Sequence, residues 1–296
     1  MTAADGARLR AALFPCNPSF GKTGRGSVVL SPGRTEPIEK YYEVVDDLRE
    51  RGFTVLVHDW RGQGLSARIL KDRRRGHAEG SGLFLADFNS VIAAFEHRLP
   101  KPWVAVGHSM GGGLTALALI RGERRFSAAA LSSPMLGVNL GGKPSSLVMG
   151  LASLMVRMGL GHLYVPAWTD PLEQPFELSV LTHDQRRLNR YRDQVLACPD
   201  LRLGGATWGW VEFALRLSAE IHKPGAVEGI ETPLLTFLAR EEALVDNQLI
   251  RDFARRAPNG TLVELDDARH ELFMETDAVR DTLWVAFDAL LDQTGI

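Results

Sequence analysis

Short runs rich in valine, alanine and leucine recur along the chain, separated by stretches in which apolar residues return every three or four positions. An apolar run bounded by turn residues is the mark of a strand buried on both faces of a sheet, and the three-to-four spacing marks a helix with one buried side. The expected strands are Ser27 to Leu30, Thr54 to His58, Val104 to Gly107, Ala128 to Ser132, Leu234 to Leu238 and Thr261 to Glu264. Between them Tyr41, Val44, Val45 and Leu48 share one helical face, as do Phe88, Val91, Ile92 and Phe95, and later Val279, Leu283 and Phe287. Strand and helix alternate, which predicts an α/β class with a mostly parallel central sheet flanked by helices.

From about Ser133 to Gly229 this rhythm stops, and helical and loop-like sequence intervenes before the sheet pattern resumes. The expected organisation is a core of residues 1–132 and 230–296 with an inserted helical cap of residues 133–229. Within the insert, Leu147 to Val156 is nearly all apolar, but its length and Arg157 argue against a membrane span. A buried or cap helix is expected there, with transient contact at a membrane surface as the other use of such a segment.

Composition changes this picture little. At 296 residues, 45% apolar and 24% charged, the chain can build a sizeable core. A net charge of −2 gives no general electrostatic case for nucleic acid, and the basic cluster Lys71-Asp-Arg-Arg-Arg75 reads as a solvated loop. Only Cys16 and Cys198 are present, which offers no disulfide framework and fits a reducing compartment. Met1 to Phe14 carries charges and no apolar run, so it does not read as a signal peptide. A cytoplasmic protein, at most peripheral to the membrane, is the expectation; oligomeric state is left open.

The chemistry lies at Gly107-His-Ser-Met-Gly111. Gly-x-Ser-x-Gly allows a sharp strand-to-helix turn with the serine at its apex, since larger side chains at the glycines would collide across it. Alone the pattern is weak. Here it follows the buried run Trp103-Val-Ala-Val-Gly107 and precedes a helical stretch through Ile120, the order required by the nucleophile elbow of an α/β-hydrolase fold. Ser109 is therefore the candidate nucleophile, and the Met110 N–H, at the start of that helix, a candidate oxyanion donor.

A serine needs a base to take its proton, and in this fold the chain order is serine, acid, histidine. Of the eight histidines, His270 alone lies beyond a late strand and behind an acidic loop. After the strand at Leu234 to Leu238, Arg240-Glu-Glu-Ala-Leu-Val-Asp246 offers three carboxylates. Glu242 ranks first as the acid, Asp246 is the alternative, and Glu241 is read as solvated. A second oxyanion donor is expected from the loop Ser31-Pro-Gly-Arg-Thr-Glu36, with the Arg34 N–H as the choice and its guanidinium as a second possible contact for an anionic head group.

With these residues placed, the chain resembles the bacterial lysophospholipase and monoacylglycerol lipase group of α/β-hydrolases over nearly its whole length. The resemblance rests on five segments in order: Ser31-Pro-Gly-Arg-Thr-Glu-Pro-Ile-Glu-Lys-Tyr41, Asp59-Trp-Arg-Gly-Gln-Gly-Leu-Ser66, Gly107-His-Ser-Met-Gly111, Glu242-Ala-Leu-Val-Asp-Asn247 and Ala268-Arg-His-Glu-Leu272. It implies that Ser109 attacks an ester carbonyl, His270 relays protons and Glu242 is the acid, although many relatives carry aspartate there, so Asp246 stays open. Relatives often have His-Gly where this chain has Pro32-Gly33, which matches the lysophospholipase branch better. In such relatives the cap forms the acyl pocket, which implies a lining by Leu147, Met149, Leu151, Leu154 and Met155 with Trp208 or Trp210. The implied substrate is a small lipid ester, a lysophospholipid or a monoacylglycerol. A short-chain carboxylesterase, a lactonase, a peptidase and a catalytically silent binding protein are the rivals.

Neither metal nor organic cofactor is expected. Cys16-Asn-Pro-Ser-Phe-Gly-Lys-Thr23 approaches a phosphate-binding loop but lacks its first glycine, and a strand follows where a helix should begin. His270-Glu-Leu-Phe-Met lacks the second histidine of a metalloprotease helix.

Overall fold

Six strands form where the apolar runs predict them, each a residue or so longer than its run: β2 (Gly26–Ser31), β3 (Phe53–His58), β4 (Trp103–His108), β5 (Phe126–Ser132), β6 (Leu234–Ala239) and β7 (Gly260–Leu265). The computed structural model describes residues 1–17, 24–166 and 174–296. Most of the phosphate-loop-like segment, residues 18–23, lies outside them. A seventh strand, β1 (Ala11–Phe14), was not expected; it pairs antiparallel with β3, while all other pairings are parallel. Its run of four half-buried residues is too short to carry a periodicity.

The strand order is β1-β3-β2-β4-β5-β6-β7. Successive strand residues serve opposite faces: Val29, Leu56, Ala105 and Ala129 enter one core cluster, and Val28, Leu30, Val55, Val104 and Val106 the other. The first cluster is closed by α2 (Ser81–Phe95), α3 (Ser109–Ile120) and α7 (Asn247–Arg256), the second by α1 (Tyr42–Glu50) and α8 (Asp277–Thr294). Between β2 and β4 the chain turns to opposite sides of the sheet, the topological switch at whose carboxyl edge α/β proteins open a crevice.

The stretch between β5 and β6 contains α4 (Ser145–Arg157), α5 (Gln185–Ala197) and α6 (Trp208–Ile221). Phe213, Ala214, Leu217 and Ile221 of α6 join the first core cluster, and α6 packs on α3, so the excursion returns to the core before Gly229. α4 rests on α6 through its small residues Ala152 and Ser153. α5 is bolted from the other side by Arg187, a buried residue that binds Asp184, Glu43 on α1, Asp277 and the Glu275 carbonyl. Burying an arginine, which stays charged, is costly unless its donors are satisfied this fully. Among the described residues no helix is long and apolar enough to cross a membrane.

Candidate active site

Ser109 stands at the apex between β4 and α3 with φ +49°, a left-handed conformation that costs a residue with a side chain about 1–3 kcal/mol. The surrounding packing imposes it. A Cβ on Gly107 would lie 2.8 Å from the Gly112 Cα, and one on Gly111 would lie 2.2 Å from the Ser31 carbonyl oxygen. The register that pairs Ser31 with Gly107 brings the loop after β2 against the elbow.

His270 follows β7, and its Nε2 accepts from the Ser109 hydroxyl at 2.9 Å. Its Nδ1–H donates to Glu242 Oε2 at 2.7 Å. The other oxygen of Glu242 accepts the Leu244 N–H at 2.7 Å and the Val245 N–H at 3.2 Å, so the carboxylate is fixed at both ends. Burial disfavours the imidazolium of His270, but the charge and hydrogen bond of Glu242 outweigh it and raise its pKa above 6.5. Burial likewise works against the Glu242 carboxylate, and His270 with the two backbone donors lowers its pKa in balance.

Asp246 is not brought to this site. Its carboxylate caps α7, accepting the Gln248 N–H at 2.8 Å and the Leu249 N–H at 3.2 Å. Glu241 turns to His183, 3.0 Å away, and is not simply solvated. Arg34 and Met110 flank the serine on two elements: Met110 is in the first turn of α3, where backbone N–H groups lack helical partners, and Arg34 is in the loop after β2. The Arg34 guanidinium donates to the Gly204 carbonyl at 2.6 Å and lies 5.0 Å from the centre of the Trp210 ring.

Behind the pair lies a buried charged group that residue-by-residue reading missed, although its members fall within the motifs. Lys40 Nζ reaches Glu36 Oε1 at 2.7 Å and Glu271 Oε1 at 2.5 Å. Glu36 Oε2 also accepts the Gly33 N–H and the Tyr41 hydroxyl, each at 2.5 Å. Against the cost of burial, Lys40 and His108 hold Glu36 down to about 2, whereas burial prevails at Glu271 and pushes it up. Burial pushes His108 down to about 4, so its ring is neutral at pH 7.

A cavity of about 210 Å³ opens on Ser109 and His270. Its apolar wall comes from Met135, Val138, Leu181, Leu203, Trp210 and Leu244, with Tyr191 of α5 beside them. Of the expected lining only Trp210 is there. Trp208 is not, and neither are Leu147, Met149, Leu151, Leu154 and Met155, because α4 turns Ala152 and Ser153 inward and leaves Leu147 and Leu151 70% and 47% exposed. In a run that is apolar on every side, composition does not reveal the helix phase. Among the described residues no group of three His, Cys, Asp or Glu side chains is arranged to hold a metal.

A family model described as "Serine aminopeptidase, S33" matches residues 22–277. Lysophospholipase L2 of Escherichia coli strain K12 is 34% identical over 286 residues, covering 90% of this chain and 79% of that protein. Monoacylglycerol lipase of Mycolicibacterium smegmatis is 31% identical over 140 residues, 46% of this chain and 47% of that one. In structure, a soluble variant of monoglyceride lipase from Saccharomyces cerevisiae aligns with a TM-score of 0.78 at 19% identity, covering 98% of this chain and 93% of that one.

Proposed function

The chain belongs to the α/β-hydrolase family described as serine aminopeptidase S33 and is a serine ester hydrolase, and from that membership we propose that it releases the fatty acid of a lysophospholipid, or of a monoacylglycerol, by way of an acyl-enzyme at Ser109. The observation that carries this reading is the line from Ser109 Oγ through His270 to Glu242, with links of 2.9 and 2.7 Å, at the wall of an apolar cavity. The lysophospholipid is favoured because the relative of that name matches along most of both chains, whereas the monoacylglycerol lipase matches under half.

His270 Nε2 takes the hydroxyl proton as Ser109 Oγ bonds to the ester carbon. The Arg34 and Met110 N–H groups receive the oxyanion. The intermediate collapses by breaking the bond to the alcohol oxygen, which leaves with the proton from His270. A water then gives a proton to His270 and its oxygen to the acyl carbon, and the fatty acid departs as Ser109 recovers its proton. Glu242 holds the imidazole tautomer throughout and stays ionised. The described residues between β5 and α6 act as a cap over this chemistry: Leu181, Tyr191 and Leu203, with Trp210 at the start of α6, shape the cavity, and the outward Leu147, Leu151, Leu154 and Met158 meet a lipid surface.

The test is hydrolysis of a lysophospholipid, a monoacylglycerol, short p-nitrophenyl esters, a lactone and an aminoacyl p-nitroanilide, by wild type beside Ser109→Ala. Fastest turnover of the lysophospholipid, lost in a variant that keeps the wild-type circular dichroism, is expected. Preference for the anilide would turn the reading to a peptidase, and ligand binding without turnover by folded wild type would turn it to a binding protein.

A further inference from the structure

The segment Asp59 to Ser66 supplies no group to the reaction, yet all of it but Leu65 is buried, against the loop that carries the Arg34 N–H. Its fold explains its residue types. Asp59 accepts the Ile38 N–H at 2.9 Å and the Leu65 N–H at 2.8 Å, closing a turn in which Gly64 has φ +52° and any Cβ would lie 2.2 Å from the Asp59 carboxyl carbon. That turn aims two side chains at the neighbouring loop. Trp60 Nε1–H donates to the Pro32 carbonyl at 2.8 Å. Gln63 Nε2–H donates to the Gly33 carbonyl at 2.7 Å and the Glu36 carbonyl at 3.2 Å, and its Oε1 accepts the Thr35 N–H at 3.3 Å.

A trans peptide is planar, so its carbonyl and its N–H point in opposite directions. Holding the Gly33 carbonyl therefore sets the direction of the Arg34 N–H. The preceding peptide is held at both ends, its carbonyl by Trp60 and its N–H by Glu36. The next residue, Thr35, is in the left-handed region at φ +70° and stays there through Gln63 on its N–H and Tyr191 on its carbonyl. A strained loop relaxes when its holders are removed.

We propose that Gln63 is a positioning residue for the ester hydrolysis: by gripping the Gly33 carbonyl and the Thr35 N–H it aims the Arg34 N–H at the developing oxyanion. The proposal rests on the reading of Arg34 given above. A donor that must meet charge formed only in the transition state affects kcat more than ground-state binding.

The experiment compares wild type with Gln63→Met, which keeps side-chain length and loses both polar ends, and with Trp60→Phe, which loses the indole N–H together with part of the buried ring. Steady-state kinetics on a lysophospholipid are paired with Kd values for a trifluoromethyl ketone analogue, which forms the oxyanion, and for an ether analogue, which has no carbonyl. For Gln63→Met, kcat is expected to fall roughly tenfold to a hundredfold, short of the ~10²–10³ seen when an oxyanion donor is deleted. KM and ether affinity should hold within about threefold, and ketone affinity should fall with kcat. Trp60→Phe should show the same split at smaller size, and serves alone if Gln63→Met does not fold. Equal loss of ether and ketone binding, or unchanged kcat, overturns the proposal. Wild-type protein without Ser109-dependent turnover removes the reading beneath it, an outcome seen before any Gln63 variant is made.

Discussion

Among single residues, the meeting of Ser109 with His270 was legible because each is tied to chain order: a glycine-flanked serine after a buried run, and a histidine after the last strand. The carboxylate that meets His270 could only be ranked, Glu242 first and Asp246 second, since three carboxylates share one loop and only their backbone partners separate them. Glu242 accepts two N–H groups and still faces His270; Asp246 spends its oxygen on a helix end. The coupling of Glu242 to His270 has a pH signature. Only neutral His270 can act as base, and its pKa lies above 6.5, so kcat/KM should rise with pH through a limb above 6.5. In Glu242→Gln, burial acts on the ring without its largest opposing charge, Glu271 and Glu36 remaining, so the residual activity, about 10⁴-fold lower, should have its acid limb at lower pH. pH–rate profiles of both proteins decide it; an unmoved limb would mean that Glu242 is not the partner of the imidazole.

Strands were legible as apolar runs bounded by turn residues, and helices where apolar and polar residues alternate; a helix apolar throughout hides its phase. α1 buries Val44, Val45 and Leu48 as its spacing predicts, whereas α4, apolar nearly throughout, hides its phase, and the pocket assigned to its leucines is built instead by Met135, Val138, Leu181, Leu203 and Leu244. β1 escaped because four residues carry no period. The buried trio Glu36, Lys40 and Glu271 escaped because charged residues are presumed exposed, although two carboxylates around one ammonium are a stable buried arrangement when the geometry is good. The role of Asp246 belongs to α7. Replacing an N-cap aspartate with alanine typically costs about 1 kcal/mol. Asp246→Ala should lower the urea midpoint correspondingly while leaving kcat/KM within about twofold; a collapse of kcat in folded protein would restore Asp246 as a candidate acid.

For the whole molecule, the alternation of strand and helix was enough to predict a mostly parallel sheet flanked by helices, and the interruption after β5 falls where α4, α5 and α6 lie between β5 and β6. How the insert attaches was not readable, because α6 presents one face to α3 and the other to α4, and Arg187 finds partners on three separate segments. This attachment leaves the outer face of α4 uncovered, with Leu147, Leu151, Leu154 and Met158 exposed. Changing Leu147, Leu151 and Leu154 together to Gln should weaken co-sedimentation with phospholipid vesicles and slow hydrolysis of lysophospholipid above its micelle concentration, with p-nitrophenyl butyrate turnover unchanged; parallel loss on both substrates would place these leucines in support of the fold instead. The loop carrying Arg34 leaves β2, Ser109 follows β4, Glu242 follows β6 and His270 follows β7, so these groups meet only once four distant parts of the chain have docked across the sheet. During refolding, helical signal can return while these long-range pairings are still absent, and turnover therefore keeps time for the last docking event, not the first.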